Sequence, residues 1–318
     1  MSADMTNYKL PASLEQKFCG MTLHSPLVLS SGSAGFNQKL GRIEGFSYSD
    51  VGAVVLNGTT RLARSGYPAH RLSETAMGLL SATGWQNPGI EHVVSNLVPM
   101  LQTAPARLFA NVCGFALEDY VEVTRRFNDS AVDAIELNLS CPDSMSEGRW
   151  FCDDAERSGR IVTACRQATT KPLIAKITAN QADIRRVAKT CIEAGVDGLS
   201  LINGVAAVGI NPESRRFALG NAIGGLSGPA IKPIALMKVM QVAELARSHD
   251  VGIIGQGGVR TADDALEFII AGADLVGVCT GLYYDPLVCS KLNSGINAYL
   301  ERHQMSSVGQ LTASLNTP

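Results

Sequence analysis

"KPLIAKITANQADIRRVAKTCIEAGVDGLSLING", Lys171 to Gly204, is the stretch whose reading decides the fold. It opens with an apolar run that is unbroken except for Lys176. A strand buried on both faces has this pattern, and parallel sheets bury both faces. "NQADIRRVAKTCIEAG" follows, with a polar opening, apolar residues at helical spacing and a closing glycine. A second apolar run, "GVDGLSLING", then begins at Gly195. The stretch therefore predicts strand, helix, strand.

The same unit recurs outward in both directions. β-rich runs begin at Ser25 ("SPLVLSSG"), Val51 ("VGAVVLNGTT"), Ala106 ("ARLFANVCG") and Ala131 ("AVDAIELNLS"). Two more begin at Asp250 ("DVGIIGQGG") and Gly272 ("GADLVGVCTG"). Between them lie helical patterns such as "DAERSGRIVTACRQAT" and "PAIKPIALMKVMQVAELARSHD". "TADDALEFIIAG" has a Thr N-cap, carboxylates in its first turn and a terminal glycine. Eight such runs over about 250 residues predict an α/β chain folded as a (β/α)8 TIM barrel. A doubly wound open sheet is the competing architecture, and it usually has fewer strands. No linker or low-complexity tract divides the chain. Residues 1–318 read as one domain, with residues 1–24 an extension covering the barrel bottom.

Bulk properties narrow the function. The net charge of −2 gives no reason to expect nucleic acid or an anionic membrane as partner. The N-terminus has no basic-then-apolar signal pattern, and no apolar run reaches the roughly 18 residues of a membrane span. The eight cysteines show no CxxC or zinc-knuckle spacing, and the five histidines form no HxH or HExxH pair. Together these predict a reduced, cytoplasmic protein without a metal site.

In a barrel, chemistry belongs at the C-terminal strand ends. Those ends read Ser31-Gly32, Asn57-Gly58-Thr59, Asn111, Asn138 to Cys141, Lys176, Asn203, Gly257-Gly258 and Thr280. Amides and hydroxyls dominate, and carboxylates and histidines are nearly absent. The ring suits a polar heterocycle held by hydrogen bonds, not a glycosidase or a metal hydrolase. "GQGGVRTADDA", "CTG" and "GGLSGPAIKP" are three glycine turns near helix starts, which together predict a phosphate site. Lys176 lies inside a strand core. A buried lysine needs an anionic partner. The N1–C2=O edge of a reduced flavin is one candidate, and an acid such as Glu136 is the other.

"ELNLSCP", "GGLSGPAIKP", "GWQNPG" and "GQGGV", in this spacing, resemble the dihydroorotate dehydrogenases of the soluble class 1 type, 1B-like. The FMN half of dihydropyrimidine dehydrogenase is similar too. The resemblance runs from about Leu23 to the C-terminus. It implies an FMN-containing barrel that oxidises or reduces a ring C–C bond, with hydride passing to flavin and a protein base handling the proton. Cys141 matches the catalytic base, and Asn138 and Asn203 match amides that bind the substrate ring. Lys176 matches the FMN lysine, while Ser31, Gly32, Asn111, Gly225, Gly257, Gly258 and Thr280 fall at FMN positions. A homodimer and a separate electron-transfer subunit carrying FAD and an iron–sulfur cluster are further implications.

Four substrate-side positions depart from the family. Asn57 stands where a lysine is usual, Ser81 and Asp143 stand where asparagines are usual, and Gly204 replaces a threonine. The first change removes a positive charge and the third adds a negative one. Like charges about 4 Å apart in a partly dry site cost on the order of 4 kcal/mol. The expectation is therefore a neutral cyclic substrate, or one with a cationic group near Asp143. An Asp143 turned outward, with Arg149 serving the carboxylate, would leave dihydroorotate itself as substrate. Trp150, Phe151 and Cys152 could fold over the ligand as a lid, and Trp85 could wall the pocket or pack a core. Competing classes are an FMN-binding electron-transfer subunit without dehydrogenase chemistry and a phosphosugar-type lyase. Flavin colour, and its bleaching by substrate, separate them.

Overall fold

The computed structural model describes residues 14–33, 40–102, 104–140, 145–146, 149–150 and 154–316. The eight apolar runs form one closed parallel barrel. Its strands are β1 (Leu27–Leu29), β2 (Ala53–Val55), β3 (Arg107–Val112), β4 (Ala134–Asn138), β5 (Leu173–Ile177), β6 (Gly198–Leu201), β7 (Gly252–Gln256) and β8 (Leu275–Val278), and spatial order follows chain order. Helices α1 (Leu117–Asn128), α2 (Ala155–Gln167), α3 (Ile184–Glu193), α4 (Lys232–Ser248), α5 (Ala262–Ile270) and α6 (Val288–Arg302) cover the outside, with a further helical segment over 90–101. The predicted cap is present: Thr261 Oγ1 accepts from Asp264 N, and Asp264 Oδ2 accepts from Thr261 N.

An aspartate sets the register at the bottom of the barrel. Asp133, Asp197 and Asp274 each stand immediately before an even-numbered strand. Each accepts the first free N–H of the preceding strand, from Leu108, Leu173 and Ile253 respectively, at 2.8 Å. The "VD" and "AD" that open these runs are thus register pins, which satisfy backbone donors that the ladder leaves over.

The barrel interior changes chemistry along its axis. The lower layer is Val28, Ala53, Val55, Phe109, Ala134, Ile174, Ile254 and Leu275, closed from below by Phe18 and Leu23. Strand side chains alternate with period two, so two residues further along, the same face continues. There the residues become Ser30, Asn57, Asn111, Glu136, Lys176 and Gln256. The apolar half provides packing, and the polar half is the floor of a site.

Phe18 belongs to a hairpin, Gln16–Phe18 with Met21–Leu23, that plugs the bottom. The plug depends on two strand glycines. A Cβ on Gly252 would stand 2.6 Å from the Phe18 ring, and one on Gly198 would stand 3.0 Å away. Gly252→Ala is therefore expected to lower stability by about 1–3 kcal/mol, the usual cost of overpacking. A denaturant midpoint unchanged from wild type would contradict it.

One expected loop is a strand. Gly224–Ser227, inside "GGLSGPAIKP", pairs on one edge with Val205–Ala207 and on the other with Gly78–Ser81, which in turn pairs with Leu72–Thr75. Two distant partners, and not local turn chemistry, hold it extended. This four-stranded antiparallel sheet stands at the barrel mouth. The following turn is a short 3-10 segment, Pro229–Ile231, and α4 proper begins at Lys232.

Candidate active site

A cavity of about 270 Å³ opens at the C-terminal strand ends, near the lower bound of small-molecule sites, about 300 Å³. Ser30 and Ser31 beyond β1, Asn57 and Gly58 beyond β2, Asn138, Lys176 and Asn203 line it, and the mouth sheet contributes Leu72, Leu79, Ser81, Gly225 and Ser227. Among the described residues, Lys176 is the one charged side chain in the wall.

Lys176 is 4% exposed and Glu136 1% exposed. Lys176 Nζ lies 3.8 Å from Glu136 Oε1. That is an ion pair but beyond hydrogen-bond length. The strand register explains it: Lys176 pairs with Asn138, and Glu136 shares the Asn138 face two residues below. Lys176 therefore has a resident acid, and its ammonium still borders the cavity. Both candidates raised for its partner, an internal carboxylate and an anionic cofactor edge, are compatible with this position.

From Glu136 a chain of hydrogen bonds runs to the far side of the pocket. Asn111 Nδ2 donates to Glu136 Oε1 at 2.6 Å, and Asn138 Nδ2 donates to Asn111 Oδ1 at 3.3 Å. Ser140 Oγ donates to Asn138 Oδ1 at 3.0 Å, and Asn203 Nδ2 donates to Ser140 Oγ at 3.0 Å. Asn203 Oδ1 accepts from Gly204 N at 2.8 Å. Tyr120 Oη ties the backbone of Asn138 down by donating to its carbonyl at 2.8 Å. The two predicted substrate amides are thus held on one buried hydroxyl.

The opposite end is built from backbone. Gly228, Gly257 and Gly258 have φ of 97°, 134° and 87°, a region open to glycine and strained for other residues. A Cβ on Gly258 would lie 2.8 Å from Gly228 O, so the two turns approach too closely for any side chain. Thr280 Oγ1 donates to Ser227 Oγ at 2.7 Å, which joins a third turn to them. The nearby Lys232 is committed elsewhere, to Asp264 at 2.6 Å and Glu267 at 2.9 Å. An anion here would be held by N–H groups and hydroxyls at the start of α4. A glycine cradle at one end and a buried cation beside the two amides fit an FMN, whose phosphate the glycine turns would hold and whose ring edge Lys176 would meet.

Most predicted site residues meet in this one cavity: Ser31, Gly32, Asn57, Ser81, Asn138, Lys176, Asn203, Gly225, Gly257, Gly258 and Thr280. Asn57 Oδ1 accepts from Gly32 N at 3.0 Å. Asn111 is placed one layer back, behind Asn138, where it orients that amide. Cys141, Asp143 and the lid candidates Phe151 and Cys152 lie outside the described residues, as does the side chain of Trp150; Cys141 directly follows Ser140. Trp85 proves to be a wall residue, with φ of 52° and its ring 5.0 Å from Phe115. Sequence reading missed the floor, where Ser30 Oγ donates to Gln256 Oε1 and Gln256 Nε2 donates to Ser200 Oγ at 3.0 Å. It also missed Cys279, whose thiol burial pushes up against the opposing pull of Lys176 and Thr280. Period-two extension of the apolar runs would have flagged Ser30, Ser200 and Gln256. Among the described residues no group of three or more His, Cys, Asp or Glu is placed to hold a metal, and no helix is long and apolar enough to cross a membrane.

Comparison with known proteins gives a consistent picture. Residues 13–300 match the family model described as dihydroorotate dehydrogenase. The chain is 40% identical over 293 residues to a Listeria monocytogenes protein named dihydroorotate dehydrogenase B (NAD(+)), catalytic subunit, covering 92% of this chain and 95% of that one. It is 36% identical over 302 residues to the protein of the same name from Alkaliphilus metalliredigens, covering 95% and 98%. A crystal structure of the Eimeria tenella dihydroorotate dehydrogenase in complex with ferulenol superposes with a TM-score of 0.81 at 22% identity, over 99% of this chain and 91% of that one. At that identity the likeness speaks for the barrel fold alone.

Proposed function

This chain belongs to the dihydroorotate dehydrogenase family, FMN-dependent oxidoreductases that act on a ring CH–CH bond, and from that premise we propose that it oxidises dihydroorotate as the catalytic subunit of a larger assembly. The observation that carries the reading is the pair Asn138 and Asn203, both fixed on Ser140 immediately before Cys141 and facing the cavity that Lys176 borders. Two amides of set polarity match a cyclic imide, which offers alternating N–H donors and carbonyl acceptors. Bound FMN supplies the two-electron acceptor that takes the hydride. The glycine turns at Gly257 and Gly258, with Thr280, would hold its phosphate, Lys176 would meet its anionic ring edge, and Cys141 accepts the substrate proton. The electrons leave through a partner subunit, a role supported by the names of the relatives. A homodimer in a reducing, cytoplasmic setting completes the proposal.

One observation favours a second reading, an uncharged congener as substrate. Asn57 lines the cavity with a neutral amide at the position where the family resemblance calls for a lysine. The decisive experiment is anaerobic bleaching of the flavin band by dihydroorotate and, in parallel, by dihydrouracil. Rapid bleaching by the first supports the main reading; bleaching by the second alone replaces it. Asn57→Lys is expected to tighten orotate binding roughly ten- to hundred-fold, the effect of a charge-assisted hydrogen bond worth about 1.5–3 kcal/mol. Unchanged orotate affinity in a flavin titration would place the carboxylate end away from residue 57.

A further inference from the structure

We infer that Glu136 is a positioning residue that sets both the charge available to the flavin and the donor–acceptor sense of the substrate amides. It rests on FMN as cofactor and not on the identity of the substrate. A carboxylate accepts hydrogen bonds and cannot donate. Asn111, 2.6 Å away, must therefore turn its Nδ2 toward Glu136 and its Oδ1 toward Asn138. Asn138 must then present Nδ2 to Asn111 and Oδ1 to Ser140. Ser140 spends its proton on Asn138, so it can only accept from Asn203, whose Oδ1 is left for Gly204 N. One acceptor at the barrel axis thus dictates the orientations of the Asn111, Asn138 and Asn203 amides.

The same carboxylate is also the closest counter-charge to Lys176, at 3.8 Å. No other charged side chain among the described residues borders the cavity. Reduced FMN carries more negative charge on the ring edge that Lys176 would meet. Glu136 opposes that charge and shares the cation, and both effects act against the reduced form. Removing the Glu136 charge therefore raises the flavin potential.

The test is Glu136→Gln in the FMN-loaded protein, read by dye-equilibrated redox titration and by FMN binding in both redox states. Reduced FMN is expected to gain at least tenfold in affinity relative to oxidised FMN, which for a two-electron couple is a rise of about 30 mV. A merely structural role would weaken both forms alike and leave the potential in place, and that result overturns the inference. Glu136→Asp, which keeps the charge but retracts it by one methylene, is the companion should the glutamine variant not fold. It is expected to shift the potential in the same direction by less, and an unmoved potential there is equally fatal. A wild-type protein that binds no FMN would instead sink the cofactor reading itself.

Discussion

Cys141→Ala is expected to slow flavin bleaching by substrate about 10²- to 10⁴-fold, the range that general base catalysis contributes. The hydride cannot leave the ring unless the neighbouring carbon gives up its proton. Among the residues proposed for this site, the thiol of Cys141 is the group assigned to take it. Its predecessor Ser140 is buried and anchored to both Asn138 and Asn203, so the chain enters residue 141 from a fixed point beside the substrate amides. The thiolate is the form that accepts a proton. The wild-type rate should therefore fall as pH is lowered, and the alanine variant should lose that dependence. Its oxidised flavin spectrum and FMN content should match wild type, since the substitution touches no proposed cofactor contact. Stopped-flow anaerobic reduction is the measurement. A variant within threefold of wild type would remove Cys141 from the mechanism.

Lys176→Gln has the second largest expected effect, a loss of about 10²- to 10³-fold in the same reduction rate. That is the usual consequence of removing one preorganised partner of developing charge. Its potential should move in the direction opposite to that of Glu136→Gln, because the anionic ring edge loses its cation. Stability is a separate matter. Leaving Glu136 buried without its partner costs about 3–5 kcal/mol. Lys176→Gln combined with Glu136→Gln replaces the ion pair by two neutral amides and should recover most of that loss without recovering the rate. Thermal unfolding and stopped-flow reduction of the three variants separate the two roles. Recovery of the rate in the double variant would show that Lys176 serves the fold and not the flavin.

The barrel was legible because each strand is a local statement. "PLIAKIT" or "AVDAIELNL" announces burial on both faces whatever it pairs with, and strand ends follow from where the apolar run stops. The amides and glycines at those ends were visible for the same reason. The mouth sheet was not, because Gly78–Ser81 and Gly224–Ser227 are short, half-buried and extended only through pairing with each other and with their outer neighbours. The hydrogen bonds of Asn111 to Glu136 and Asn138 were not legible, because a strand-end amide looks the same whether it faces a ligand or a neighbouring amide. Ser30 and Gln256 were overlooked because polar residues at the end of an apolar run read as the start of a loop, whereas the barrel turns them inward.

By itself, then, the chain of residues determined eight strands, their parallel closure and the chemical types gathered at one rim, since burial and periodicity are properties of short segments. Only the tertiary structure decided which rim atoms meet. Glu136 lies in β4, Lys176 in β5 and Asn203 just past β6, and only the pairing of those strands sets Lys176 and Asn203 in one cavity wall with Glu136 behind it. The direction of each hydrogen bond among them depends on side-chain positions that no segment carries alone.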